Sequence, residues 1–488
     1  MSRLDAKILL LSLVLLTALA ACRPADPDRG ETRGGTAIRP TAAPTATEEP
    51  AGPMAEYYLE LSLDADAARL TGKERVVFPN HTGGPLDEIV FRLYPNLPQR
   101  GGAMAVRDVT VEGRPVDFSL RAENTSLVVP LEEPLPAERD VSVELAFDLQ
   151  LPVVAEGYVL LGYSQGIWSA ADAYALLAIH DGKAWLEDIA PAHGDAVTAA
   201  AAVYDVQLSL PSDLVLATTG TKVSMSNDDP GTVTYHVSGR PLREFAWLAS
   251  ADYRVSETTA YGTLLRSYYL PGDEAAGQAT LNVAAAALRA YNDAFGPYPY
   301  QEMAVVEAPL LHFGMEFPGL NLIGMDLYRH LRAQLEDRVA HEIAHQWWYA
   351  QVGNDQVNTP WLDEGLAEYS MAFYYRQVYG EAHVNTVVNQ RWLVPYQVAV
   401  DNGYDAVVNQ PAAAFAWEYE VIVYAKAALF FHALHGELGD EVFSDVLHTY
   451  LSRYQWQIAR PDDFLSVAEE VSGQDLDDLY NRWILSAQ

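Results

Sequence analysis

The segment HEIAHQWW, His341 to Trp348, constrains this chain more than any other. Val339, Ala340, Ile343, Ala344, Trp347 and Trp348 make it an apolar run of the kind that folds as a buried helix. Yet the run carries His341, Glu342 and His345. Three uncompensated ionisable groups in such a place are costly unless a metal or hydrogen bonds hold them. On a helix, positions i and i+4 share a face, so His341 and His345 point the same way, one turn apart. Neutral imidazoles placed like this suit one Zn²⁺ ion. Glu342 is carried round the helix from its neighbour, where it reaches a water on the metal more readily than the metal itself. A lone core histidine is more often satisfied by a backbone carbonyl; two of them with a glutamate in an apolar run ask for more.

A third ligand stands in "TPWLDEGLAEY". Gly353 and Asn354 are expected to end the first helix, with Thr359 and Pro360 capping and opening the next. Glu364 then falls about one turn in. A helix N-terminus favours any carboxylate, but with two histidines Glu364 completes a set of three protein ligands and an open position, the catalytic rather than the structural arrangement. Glu368 lies one turn further along the same face. There it either orients a ligand histidine through the other ring nitrogen or faces solvent.

A chain of 488 residues, half of them hydrophobic, is long enough for two or three domains with real cores. Its formal charge of −35 makes nucleic acid a poor partner, since phosphate binding needs a basic face. Arg3 and Lys7 precede an apolar run from Ile8 to Ala21, too short for a comfortable membrane span but suited to a signal peptide. The run ends in Leu19-Ala20-Ala21-Cys22, and Cys22 is the chain's one cysteine. That resembles a bacterial lipobox, in which residues 1–22 form a lipoprotein signal and Cys22 is acylated. Residues 23–55, rich in Pro, Thr and Ala, cannot bury enough surface to fold and read as a disordered tether.

From residue 56 to 257 the pattern has period two. Val141, Val143, Leu145 and Phe147 alternate with polar residues, as do Tyr204, Val206, Leu208 and Leu210. An antiparallel β saddle or sandwich domain is the expectation. From 258 to 488 strands such as "TLLRSYYLP" and "MAVVEAP" flank a helix, "EAAGQATLNVAAAALRAYNDAF", and the second half is mostly helical. The fold class expected is therefore multidomain: a β domain, then an α+β domain that holds every motif.

At this point the sequence resembles the aminopeptidase N (membrane alanyl aminopeptidase) family of gluzincin metallopeptidases, here as a short bacterial lipoprotein form. "HEIAHQWW" followed by Glu364 within "WLDEG" carries the resemblance. It implies a saddle-like β domain, a thermolysin-like catalytic domain and one zinc ion. The discriminating stretch is "HFGMEFPGLNLIG", residues 312–324. The family has a G-x-M-E-N segment on a strand edge, whose Glu binds the substrate's free α-amine. The resemblance therefore gives Glu316 the amine, and Gly314 and Met315 close backbone contact with substrate. Phe317 and Pro318 stand where the family's Asn is expected, which bears on how strictly the enzyme is an exopeptidase. The resemblance also assigns Tyr424, in "VIVYAKAALFFHAL", as stabiliser of the tetrahedral oxyanion. Many relatives have a helical C-terminal domain roofing the site, and with the sequence ending at Gln488 a more open site is the expectation.

The reading is a zinc aminopeptidase outside the cytoplasm, tethered by lipid, acting on peptides with free N-termini, with Glu342 and Tyr424 as its catalytic residues. Its oligomeric state is not legible. Two rivals stand: a zinc endopeptidase using the same helix pair, and a non-catalytic peptide-binding lipoprotein.

Overall fold

The computed structural model describes residues 53–227 and 229–487. Cys22, the whole of segment 1–22 and residues 23–52 of the expected tether lie outside the described residues.

The first half is β-sheet. Its largest sheet has eight strands. The strand Glu56–Asp64 pairs antiparallel with Arg69–Pro79 on one side and parallel with Ala202–Pro211 on the other. The alternating pattern has its physical outcome here. Tyr57, Leu59, Leu61 and Leu63 enter the core from the first strand, and Tyr204, Val206, Leu208 and Leu210 from the third. Tyr57 and Tyr204 stack with ring centroids 4.7 Å apart. Two four-stranded sheets complete this half. The parallel pair is the one departure from an all-antiparallel sheet. It arises because the partner strand Ala202–Pro211 returns from far along the chain, not from a hairpin.

The second half opens on a five-stranded sheet, in the order Arg254–Ala260, Thr263–Tyr269, Glu302–Ala308, Leu320–Gly324, Gly314–Phe317. The central strands are parallel, and the helix Glu274–Phe295 makes their crossover. That helix stops at Gly296, φ +113°, with Pro297 behind it. The strand Gly314–Phe317 is antiparallel and forms the sheet's edge. From Leu335 on the chain is largely helical, and Gly380, Gly403 and Gly439, each at positive φ, mark breaks. One hydrophobic core joins the sheet to these helices and takes in Trp347, Trp348 and Trp361.

Two boundaries differ from expectation. The first ligand helix, Leu335–Ala344, ends at His345 rather than near Gly353, and turns carry the chain from there. The second, Trp361–Tyr379, follows Pro360, and the Thr359 hydroxyl donates backwards to the Asp355 carbonyl instead of capping the helix. The indoles of Trp347 and Trp348 explain the early stop. They donate to the Gly296 carbonyl (3.0 Å) and to the Ser370 hydroxyl (2.9 Å), so core packing directs this stretch more than helical propensity does.

Candidate active site

The two ligand helices cross beside the edge strand, and their side chains meet at one point. Nε2 of His341 lies 3.1 Å from Nε2 of His345 and 3.1 Å from Oε2 of Glu364, while Nε2 of His345 lies 3.4 Å from the same oxygen. Donor atoms held about 2.0–2.2 Å from one tetrahedral ion are roughly 3.3 Å apart, so this triangle fits Zn²⁺. All three side chains are buried. Their other atoms are engaged elsewhere, which leaves these to the ion. Nδ1 of His345 faces the Trp348 carbonyl at 3.0 Å, and Oε1 of Glu364 accepts from the Tyr424 hydroxyl at 2.7 Å.

Nδ1 of His341 lies 3.0 Å from Oε2 of Glu368, an ion-pair approach rather than an aligned hydrogen bond. Glu368 is itself held. Arg391 spans both of its oxygens and the Trp392 indole donates to Oε1 at 2.6 Å. Burial opposes ionisation of Glu364 and Glu368, but their cationic neighbours outweigh it and hold both carboxyls below the usual range. The same contacts raise His341 above an ordinary histidine against its burial, and His345 is raised too, with Glu316 and Glu364 overcoming desolvation.

Glu342 is buried beside the triangle, with Arg338 one turn back at 3.6 Å. Burial raises its carboxyl above the usual value. The edge strand runs across it so closely that a Cβ on Gly314 would lie 2.1 Å from Oε1. Met315 turns the other way and packs on a small apolar cluster that includes Phe317 and Leu320. Glu316 points back towards the metal position, and Oε1 accepts from the Gln356 amide at 3.1 Å. Glu316, His345 and Asp363 each offer an atom within 4.8 Å of the others. Burial, reinforced by Glu342, Glu364 and Asp363, pushes Glu316 up to about 8.

His341, Glu342, His345, Glu364, Glu368, Gly314, Glu316 and Tyr424 are thus brought together, while the Met315 side chain faces away, and others join that sequence reasoning missed. Gln346, beside His345, staples the edge hairpin to the metal helix: its amide donates to the Phe317 carbonyl and to Asn321, and its oxygen accepts from Gly319 N–H at 2.8 Å. Gln356 bridges Glu316 and Asp363. Phe317, in place of the expected Asn, is buried in the cluster behind the hairpin and does not face the site. The β half adds a wall. Val159 N–H donates to the Pro309 carbonyl, which sets the Tyr158 ring 5.9 Å from Phe313. From the loop at 193–195, Asp195 lies within electrostatic reach of Glu316, Glu364, Asp363 and His345, and burial and those carboxylates raise it well above the usual range. A single Asp or Gln in a loop-rich stretch carries no periodicity or spacing signal, so neither could be read beforehand.

Two histidines one turn apart, a glutamate from the next helix and a buried carboxylate beside them define a gluzincin-type zinc centre. Comparison with known proteins agrees. Residues 279–483 match the Peptidase family M1 domain. Aminopeptidase M1-C of Oryza sativa subsp. japonica is 25% identical over 302 residues, 58% of this chain and 34% of that one. The alanine/arginine aminopeptidase of Saccharomyces cerevisiae is 28% identical over 287 residues, 54% and 31%. The chain spans about a third of the length of these curated relatives. In fold it is similar to an M1 zinc metallopeptidase from Deinococcus radiodurans, with a TM-score of 0.67 at 20% identity, over 88% of this chain and 93% of that one. Over residues 279–483 the chain is therefore similar to the peptidase family M1 domain, and its overall fold is similar to that of a solved M1 zinc metallopeptidase.

Proposed function

We propose that the protein is a zinc-dependent aminopeptidase that removes N-terminal residues from peptides with a free α-amine. One observation carries the exopeptidase reading. Glu316 is a buried carboxylate whose donor atom lies within 4.8 Å of those of His345 and Asp363. An ammonium ion paired with it would fix the first peptide carbonyl at the metal position.

His341, His345 and Glu364 would hold the ion. Zinc bound there acts as a Lewis acid and lowers the pKa of a coordinated water. Glu342 takes a proton from the attacking water and returns it to the leaving amine. Its burial, which raises its pKa, suits it to that exchange. The Tyr424 hydroxyl, held protonated by burial, donates to the developing oxyanion and exchanges Glu364 Oε1 for it. Gly314 lets the strand approach Glu342 and lends its backbone, with that of Met315, to the substrate. Asp195 lies within electrostatic reach of Glu316, where an arriving ammonium ion would favour its ionised form. The 258–488 domain supplies the chemistry and the 56–257 domain walls it.

The test compares one peptide with a free and with an acetylated N-terminus, beside Glu342→Gln. Cleavage of the free form alone, reduced about 10²–10⁴-fold in the variant, is the expected result. Cleavage of both forms would make the protein an endopeptidase, and zinc binding without cleavage of either would make it a binding protein.

The lipid anchor belongs to the same proposal. The apolar run before Cys22 supports an extracytoplasmic protein held to the membrane by acylation. Labelled palmitate should enter the wild type and not Cys22→Ala; equal labelling would remove the anchor from the reading.

A further inference from the structure

The first ligand helix ends at His345, and the turns beyond it are held by the β half of the molecule. Arg243 is fully buried, and among the described residues its hydrogen bonds go to backbone carbonyls. Nε donates to the Tyr349 carbonyl, one Nη2 hydrogen to Gln351 O at 2.8 Å and the other to Gln457 O at 2.8 Å, and Nη1 to Ala199 O at 3.1 Å. The guanidinium leaves no room on the backbone facing it: a Cβ on Gly353 would lie 2.5 Å from its central carbon. The next residue, Glu244, accepts the hydroxyl of Tyr349. Two consecutive residues of the β half therefore grip Tyr349 at its carbonyl and at its phenol.

Tyr349 needs that grip. Its φ of +145° is a backbone conformation that a residue with a Cβ rarely adopts, and it persists only where the surroundings over-determine it. The residue before it is Trp348, whose carbonyl faces Nδ1 of His345 at 3.0 Å and so decides which way Nε2 of that ring points.

We propose that Arg243 and Glu244 are positioning residues for the metal centre: by fixing Tyr349 they hold the Trp348 carbonyl, and through it the aim of His345. The proposal rests on the His341–His345–Glu364 triangle being the zinc site of the function proposed above. It makes the β half part of the catalytic apparatus and not only its wall.

The test uses the full protein with Tyr349→Phe, Glu244→Gln and Arg243→Lys, and Arg453→Ala at the exposed Arg453–Glu470 pair as a surface control. Three readouts are taken: the rate of zinc loss to a chelator, the visible spectrum of the Co²⁺-substituted protein, and kcat and KM separately. The expected result is zinc loss 10–100-fold faster in Tyr349→Phe and Glu244→Gln, with shifted cobalt bands, lower kcat and unchanged KM. Arg453→Ala should match the wild type. Tyr349→Phe removes a single hydroxyl, so it decides the matter even where Arg243→Lys does not fold. Wild-type zinc retention and cobalt spectra in folded Tyr349→Phe and Glu244→Gln would overturn the proposal. So would failure of Tyr349→Phe to fold, which would make the contact purely structural. A wild type that binds zinc but cleaves no peptide would sink the peptidase reading, while zinc loss and the cobalt spectrum would still decide the clamp.

Discussion

Gly314 lies against Glu342: a Cβ built on the glycine would fall 2.1 Å from Oε1, 2.3 Å from Cδ and 2.7 Å from Cγ. All three atoms belong to one side chain, and its far end is the part best able to move. Gly314→Ala should therefore displace the carboxylate rather than unfold the protein. The expectation is a kcat loss of about 10²–10⁴-fold, the range for losing a general base, with zinc content and melting temperature close to wild type. Steady-state kinetics beside metal analysis checks it. A variant with full activity would mean that Glu342 works from another position.

Arg391 never touches the metal ligands, yet it spans both oxygens of Glu368, which stands 3.0 Å from Nδ1 of His341. Arg391→Met would leave a buried carboxylate without its cation. That carboxylate would then take up a proton or turn away, and in either case the support behind His341 goes. Zinc affinity is expected to fall about 10–100-fold, measured by competition with a chelator. Unchanged affinity would show that Trp392 alone keeps Glu368 in place.

Glu316→Gln keeps the shape of the side chain and the contact to Gln356 but removes the charge that would meet an ammonium. A charged hydrogen bond contributes about 1.5–3 kcal/mol, so kcat/KM for a free-amine peptide should drop roughly 10–100-fold. Zinc content should not change. Asp195→Asn should act in the same direction but more weakly, because Asp195 reaches the amine through space rather than by contact. If acetylated and free peptides lose activity equally in Glu316→Gln, the residue does not read the amine.

Much of this was legible in the sequence because it obeys a period. The i, i+4 histidines, the glutamates of the second helix and the alternating strands through Val141–Phe147 and Tyr204–Leu210 all follow from where side chains point along a regular element. The helix Glu274–Phe295 begins and ends where its pattern says. Gly314, Glu316 and Tyr424 needed a family resemblance, since nothing about one glutamate on an edge strand or one tyrosine among 28 marks it. What stayed hidden was long-range. Gln346, Arg391 and the Arg243–Glu244 pair act on groups up to 214 positions away in the chain. Tertiary packing alone brings them there. The early end of the first ligand helix has the same cause, for the indoles of Trp347 and Trp348 find partners in other elements.

Metal binding and the folding of the metal-free protein should respond to pH with opposite signs. In the metal-free protein His341 and His345 are both raised above an ordinary histidine, Glu316 is raised to about 8 and Glu342 is raised as well. Zinc needs neutral imidazoles, so binding must expel protons, and affinity must rise with pH. For histidines of ordinary pKa, near 6.5, that rise would level off just above neutrality. Here it should continue beyond pH 7. The sign for folding runs the other way. Groups with raised folded pKa values bind more protons folded than unfolded, so the stability they lend the metal-free protein is present at low pH and lost as pH climbs through those values. Glu364 and Glu368, held low, act oppositely, but their contribution is complete once pH exceeds the ordinary carboxylate range. Between pH 6.5 and about 8 the metal-free protein should therefore lose thermal stability while the zinc-loaded protein gains relative to it. Melting curves with and without chelator across that range, paired with zinc competition titrations, test both halves. An affinity that is flat above pH 6.5, with parallel melting curves, would show that the two histidines are neutral before the metal arrives.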